Sequence, residues 1–320
     1  MGRHNNPAAI RIGLINNMPD SALQSTETQF GRLLEGASAA RPVTLWLSSF
    51  PELPRGPEAL AHIERSYWPL DGLLAEPLDA LIVTGTEPRA ARLADEPYWH
   101  RFAQVLEWAE ANTHASIWSC LAAHAAVQSL NGIERRRMAE KRSGVYEHQT
   151  ASADPLLAGT PVLLRMPHSR WNELSVEELR AAGYQMLSWS SLSGADAFVR
   201  RHRSVMLFFQ GHPEYEDTTL LKEYRRDVTR FLNEQQPHYP TFPVGYFSPQ
   251  AIEVLEKFRE QALAQRRPEL MDRFPFAELA AGLTNTWGGP AVAIYRNWLQ
   301  LVATAKSATH ASEPVSLADS

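Results

Sequence analysis

Ala115-Ser116-Ile117-Trp118-Ser119-Cys120-Leu121-Ala122-Ala123 is the stretch on which the reading of the fold turns. Ala115–Ser119 is short, small or apolar, the composition of a strand covered on both faces. Leu121–Leu130 (LAAHAAVQSL) follows with no linker and reads as a helix of small residues, ended by Asn131-Gly132. A strand running straight into a helix, with a cysteine at the corner, predicts a nucleophile elbow that lifts the side chain above the sheet edge. There the helix dipole and the free first-turn amides favour a thiolate. The N–H of Leu121 is expected to point at an oxyanion formed on an acyl group. Cys120 is the only cysteine, which excludes an internal disulfide and a cysteine-rich zinc site. A lone cysteine is more often a small buried hydrophobe; here the strand–helix corner reverses that preference.

The flanking sequence repeats the alternation. Ile10–Asn16 (IRIGLIN) predicts a first strand, and Ser25–Leu34 a helix stopped by Gly36. Val43–Leu47 predicts a second strand, and residues 50–78, rich in Pro, Gly and Glu, an irregular connection. Ala80–Thr84 predicts a third strand, and Tyr98–Ala111 an amphipathic helix. Short buried strands alternating with helices predict an α/β fold: a doubly wound, mostly parallel sheet flanked by helices. Ligands on such sheets bind at the carboxyl ends of the strands, where Gly85, Cys120 and the segment after Phe209 fall. The second half is more β-rich, with strands expected at Pro161–Arg165, Tyr184–Ser190, Ala197–Arg200 and Val205–Gln210. A helix is expected over Asp217–Asn233, then a proline-bearing linker over Gln235–Val244, then helices at 249–266 and 290–304. The chain is therefore divided into a domain over residues 1–234, a C-terminal helical extension packed on it over 235–305, and a disordered tail over 306–320.

Bulk properties narrow the function. A net charge of -5 gives no basic face for nucleic acid. No apolar run approaches the roughly 20 residues that span a bilayer, and the N-terminus lacks the apolar core of a secretory signal, so a cytoplasmic location is expected. His100, His124, His148 and His168 are scattered without ligand spacing, so no metal is expected.

A second strand end carries the partner chemistry. In Phe208-Phe209-Gln210-Gly211-His212-Pro213-Glu214-Tyr215, an apolar strand meets a glycine and His212 follows at once. A cysteine nucleophile needs a base, and the base needs a group that orients it. Glu214, two residues on, can reach the imidazole through a tight turn. Cys120, His212 and Glu214 are thus the expected catalytic set.

The segments INNMPD, ALIVTGTEP, IWSCLAAHAAV, KRSGVYEH, MPHSRWNEL and GHPEYEDTTLLKEYRRDV, in that order over roughly residues 10–232, resemble the homoserine O-acyltransferase family of the class I glutamine amidotransferase-like, flavodoxin-like fold. The resemblance implies a cytoplasmic enzyme of methionine biosynthesis with no bound cofactor and acyl-CoA as co-substrate. It implies a ping-pong reaction in which Cys120 takes the acyl group and a substrate hydroxyl then removes it. His212 would be the base and Glu214 its partner. Lys141 and Ser169 would bind the acceptor, and Arg226 would hold its carboxylate, a role that suits a bidentate guanidinium. Small-molecule substrates are the expected partners, and a homodimer is left open.

The sequence departs from the family in places. Asp20-Ser21 stand where the family has lysines after Met-Pro, and His124 stands where a glutamine is usual. One turn after Cys120, near a helix N-terminus, His124 is expected to stay neutral. Residues beyond about 240 have no segment that can be aligned by eye. The residue after the TGTEP turn sets the acyl donor in the family. Arg89 in that place would attract the free carboxylate of succinyl-CoA, and Glu87 turned inward would repel it. Homoserine O-succinyltransferase is the expected activity. Homoserine or serine O-acetyltransferase, a glutamine amidotransferase-type hydrolase and a non-catalytic amino-acid binder are the alternatives.

Overall fold

The computed structural model describes residues 8–39, 41–151 and 153–312. One nine-stranded sheet organises them, in the order β2-β1-β3-β4-β9-β8-β7-β5-β6. Its first half contains β1 (Ile10–Ile15), α1 (Leu23–Ser38), β2 (Val43–Ser48), α2 (Pro57–Ser66), α3 (Leu70–Leu74), β3 (Ala80–Val83), α4 (Trp99–Asn112), β4 (Ala115–Ser119) and α5 (Leu121–Asn131). Then come β5 (Arg136–Thr150), β6 (Leu163–Glu173), α6 (Val176–Ala181), β7 (Gln185–Ser190), β8 (Gly194–Arg201), β9 (Val205–Phe209) and α7 (Thr219–Leu232). The chain ends with α8 (Pro249–Ala264), α9 (Phe276–Ala281) and α10 (Gly288–Ser312). Strands β2, β1, β3, β4 and β9 run parallel, and β8, β7, β5 and β6 extend the sheet antiparallel.

The apolar strands explain the layering. Side chains alternate between faces, so Leu81, Val83 and Trp118 meet Phe102, Val105 and Ala122 on one side. Ala80, Ile82 and Ile117 meet Phe30 and Leu33 of α1 on the other. That second layer also takes Ala291, Ile294, Tyr295, Trp298, Leu299 and Val302 of α10, so α10 completes a face of the sheet. Helices α7, α8 and α9 enclose a third core around Tyr224, Phe231 and Phe258.

Several sequence expectations give way. Residues 50–78 hold two helices, with Pro57 in the first turn of α2, where its missing N–H costs nothing. Helix α1 passes through Gly36 to Ser38. A Cβ at Gly36 would lie 3.4 Å from Val292, so this position faces α10. Strand β5 was not anticipated. The tail expected to be disordered from Lys306 is helical to Ser312. Lys306 is buried there, with Nζ bonded to the Ala9 carbonyl at 2.7 Å and to Asp79 Oδ2 at 2.8 Å. Residues 313–320 of that tail lie outside the described residues. Among the described residues, no helix is long and apolar enough to cross a membrane.

Candidate active site

Strands β3, β4 and β9 are neighbours, so the turns that follow them emerge side by side at one sheet edge. The amide of Cys120 donates to the Phe209 carbonyl at 2.7 Å, tying the end of β4 to β9. Cys120 then turns with φ 51° and ψ -111°, a backbone state that L residues rarely adopt. Strain of this kind, on the nucleophile candidate itself, is the signature of an elbow. Gly85 makes room for it. A Cβ there would sit 2.6 Å from Leu121 Cβ and 2.9 Å from its amide nitrogen. Gly85 is therefore buried against the elbow. Leu121 opens α5, and the first amides of a helix have no acceptor within it, the condition an oxyanion site needs.

His212 meets the elbow from β9. Its amide donates to the Pro167 carbonyl of β6 at 2.8 Å, and its Nδ1 lies 2.8 Å from Glu214 Oε1. Nε2 has no hydrogen bond of ordinary geometry among the described residues. Burial works against a charged ring, but Cys120 first and Glu214 second outweigh it, and the pKa of His212 stands well above the usual value. Tyr215 stacks on the imidazole, with ring centroids 4.2 Å apart and planes 19° apart. Trp287, just before α10, donates from Nε1 to the Tyr215 carbonyl at 2.8 Å. The C-terminal segment thus braces the histidine loop.

A charged cluster continues from Tyr215. Its hydroxyl donates to Glu223 at 2.9 Å. Arg226 donates to Asp227 Oδ1 from Nε and Nη2, both at 3.2 Å, and Lys141 Nζ reaches Asp227 Oδ2 at 2.6 Å. Burial opposes the Arg226 charge, but Glu223 and Asp227 raise its pKa. Arg230 links Asp227 to Glu87, at 4.0 Å and 3.4 Å. Lys141, Arg226 and Glu87, distant in sequence, therefore share one cluster centred on Asp227, a residue the sequence reading did not single out. Glu87 faces Arg230. Arg89 is exposed; with Glu87 it borders a cavity of about 540 Å³, also bordered by Thr86, Glu96 and Tyr98. Ser169 is half-buried on β6, two residues beyond the Pro167 carbonyl that holds His212.

His124 does not reach into the site. Its Nε2 lies 3.0 Å from Gln210 Oε1, and burial, followed by Arg170 and Arg135, lowers its pKa to about 3, so the ring is neutral. Two of the histidines read as scattered are in fact adjacent. His148, His168 and Asp196 are fully buried, with ligand atoms all within 4.8 Å of one another. Arg170 Nε donates to His168 Nδ1 at 3.3 Å. That bond leaves the His168 proton on Nε2, which lies 3.3 Å from Asp196 Oδ1. A guanidinium in contact with the cluster opposes any further cation there, so it forms a sealed polar network behind Gly211.

Two arginines also act on Cys120 and escaped the sequence reading. Arg170 is buried, and its Nη1 and Nη2 bond the carbonyls of Asn172 and Ser193. Arg135 stands between α5 and β5. Both interact electrostatically with Cys120. Arg170 lay inside a recognised motif without a role, whereas Arg135 had no local signal.

Similarity to known proteins extends over nearly the whole chain. A family model described as homoserine O-succinyltransferase matches residues 2–308, which includes the C-terminal stretch that could not be aligned by eye. A homoserine O-succinyltransferase of Rhodopseudomonas palustris is 46% identical over 290 residues, 91% of this chain and 87% of that one. One of Methylorubrum extorquens is 46% identical over 293 residues, 92% of this chain and 87% of that one. Among solved structures, a glutamine amido transferase of Methylobacillus flagellatus aligns at a TM-score of 0.50 and 14% identity, covering 92% of this chain and 95% of that one, a likeness of fold alone. The chain belongs to the homoserine O-succinyltransferase family.

Proposed function

We propose that this protein transfers a succinyl group from succinyl-CoA to the hydroxyl of L-homoserine, through a thioester on Cys120. The observation that carries the reading is the strained Cys120 elbow beside the buried His212–Glu214 pair, in a chain matched by the family over nearly its whole length. The Cys120 thiolate, paired with the His212 imidazolium, attacks the thioester carbonyl of the donor. The oxyanion forms at the Leu121 amide. As the tetrahedral intermediate collapses, the C–S bond to CoA breaks and His212 supplies the proton that leaves with the CoA thiol.

In the second half, the acceptor hydroxyl gives its proton to His212 and attacks the Cys120 acyl-thioester, and Cys120 leaves as the thiolate. Glu214 keeps the Nδ1–H of His212 turned toward itself and Nε2 toward the reaction. Arg226 and Lys141, at the far end of the Tyr215–Glu223 link, are the groups for the acceptor's carboxylate, and Ser169 borders it from β6. No resident cofactor is needed, because the thioester already supplies an activated acyl group.

Intact-protein mass spectrometry after brief mixing with succinyl-CoA tests the reading. One succinyl mass should appear on Cys120, vanish on addition of homoserine, and be absent in Cys120→Ala. A protein that binds homoserine but never gains the adduct is a binder, and one that hydrolyses glutamine through the same thiol is an amidotransferase-type hydrolase. Either result ends the proposal.

A further inference from the structure

The mechanism above leaves one cation near the thiol without work. Arg135 follows α5 across Gly132, Ile133 and Glu134, and it interacts electrostatically with Cys120, Glu96 and Tyr98. Its Nη1 is shielded from solvent and has no hydrogen-bond partner among the described residues, and no carboxylate lies within 4.0 Å of it there. The Tyr98 hydroxyl is likewise shielded and unpartnered, and Tyr98 and Glu96 border the cavity of about 540 Å³ beside the TGTEP turn. Unmet donors out of reach of water are costly, and two of them in one neighbourhood describe the complement of an anion. Glu96 is not that anion, since its Oε1 already accepts from the amides of Arg89 and Ala90 at 2.6 and 2.8 Å.

Arg170, the other arginine that acts on Cys120, already bonds two carbonyls and His168. Arg89 is exposed at the cavity rim, where solvent screens a charge. A four-carbon dicarboxylic acyl group held on Cys120 ends in a carboxylate a few ångströms from its thioester carbon. We propose that Arg135, assisted by the Tyr98 hydroxyl, binds that terminal carboxylate and so selects a dicarboxylic over a simple acyl donor. The proposal rests on the transferase reading above and adds the residue that recognises the donor. It moves donor selection inward from the Arg89 position that the sequence indicated.

The test crosses two donors with three proteins. Wild type, Arg135→Met and Tyr98→Phe are assayed with succinyl-CoA and acetyl-CoA at saturating homoserine. Loss of a charge-assisted hydrogen bond should lower kcat/KM for succinyl-CoA roughly 10- to 100-fold in Arg135→Met. The acetyl-CoA value should change by less than about 3-fold, which also shows that the variant is folded. Tyr98→Phe should give the same pattern on a smaller scale. Equal losses with both donors would make Arg135 a structural or thiolate-stabilising residue and overturn the proposal. No loss with either would also overturn it. A raised KM for homoserine with both donors would assign the arginine to the acceptor instead. A wild-type protein that prefers acetyl-CoA refutes the proposal while leaving an acyltransferase; a wild-type protein that acylates Cys120 from neither donor refutes the transferase reading itself.

Discussion

On either side of Gly211 the protein holds a buried histidine against a carboxylate, and the two pairs behave oppositely. His212 lies 2.8 Å from Glu214 and His168 3.3 Å from Asp196. A Cβ on Gly211 would overlap Asp196 Oδ1 and come within 3.1 Å of His168 Nε2, so one residue separates the two systems. Burial disfavours charge on both rings. At His168 it prevails, and the ring falls to about pKa 3 even though Asp196 pulls the other way, with Arg170 adding its own opposition. At His212 the pull of Cys120 and Glu214 prevails, and the ring stays protonated well past its usual range. A carboxylate alone does not make a buried imidazole a working acid–base group. The balance decides: burial, aided by Arg170, silences His168, whereas Cys120 and Glu214 together outweigh burial at His212.

The sharpest way to break this comparison is to exchange the rings' importance. On the proposed mechanism, in which nucleophile, base and orienting group act as a unit, His212→Asn should lower kcat by about 10³–10⁴-fold or more. His168→Asn should leave most of the catalysis in the protein that folds. Single-turnover acylation of Cys120, normalised to folded protein, measures both. Similar losses would mean that the sealed pair takes part in the chemistry.

Gly211→Ala tests the partition itself. The added methyl meets Asp196 and His168 with Met166 Cγ 2.8 Å away, and the backbone on one side leads directly to His212. Overpacking of this kind costs about 1–3 kcal/mol. Denaturant unfolding should show that loss, together with a fall in kcat as the histidine loop shifts. A variant as stable as the wild type would show that the two systems are not wedged together.

The pH dependence of stability separates the pairs by sign. His168 and His124, each with a folded pKa of about 3 against an ordinary 6.5, contribute stability that is full above pH 6.5 and is lost as pH falls toward 3. His212, raised in the folded state, contributes stability that is full below 6.5 and is lost as pH rises through its folded pKa. Unfolding free energy should therefore decline on both sides. His168→Asn should reduce the acid-side slope by about 1.4 kcal/mol per pH unit between roughly pH 6 and 4. Cys120→Ala should flatten only the alkaline side. A single variant that moved both limbs would contradict the separation.

The same contrast shows what could be read in advance. Strand β4 and its helix were legible because their pattern is local: small or apolar residues throughout, then small helix formers after a cysteine. Cys120, His212 and Glu214 could be singled out as candidates because each follows the end of a strand. Strand β5 was not legible. Its residues 136–142 (RRMAEKR) carry no alternation of apolar and polar residues, and β6 and the bridge from Gly144 to Val244 hold the strand in place. Gly36 read as a stop although the helix runs through it against α10, and Lys306 read as tail because its partner Asp79 is remote in sequence. Arg135 and Asp227 belong to the same class. Their roles come from what the fold brings near them, and a charged residue in a loop or on a helix face carries no mark of that.

Tyr215 offers the finest test, because its hydroxyl ties the imidazole loop to the cluster proposed for the acceptor, whereas Tyr146 meets the His168 ring only edge-on, with centroids 5.8 Å apart. Its ring covers one face of His212, its hydroxyl holds Glu223, and Glu223 acts on Arg226. Tyr215→Phe keeps the stack and removes only the hydroxyl, so the imidazole should remain placed while Glu223 and Arg226 lose a shared anchor. The loss of one hydrogen bond to a charged group, about 1.5–3 kcal/mol, should then appear mainly as a raised KM for the acceptor. Cys120 acylation should continue at close to the wild-type rate, since the proposed donor half-reaction does not use Arg226. Tyr215→Leu, which removes the stack as well, should in addition slow acylation and shift its pH profile. If Tyr215→Phe slowed acylation as much as Tyr215→Leu, the hydroxyl would be supporting the base directly, and the link to the acceptor site would have to be abandoned.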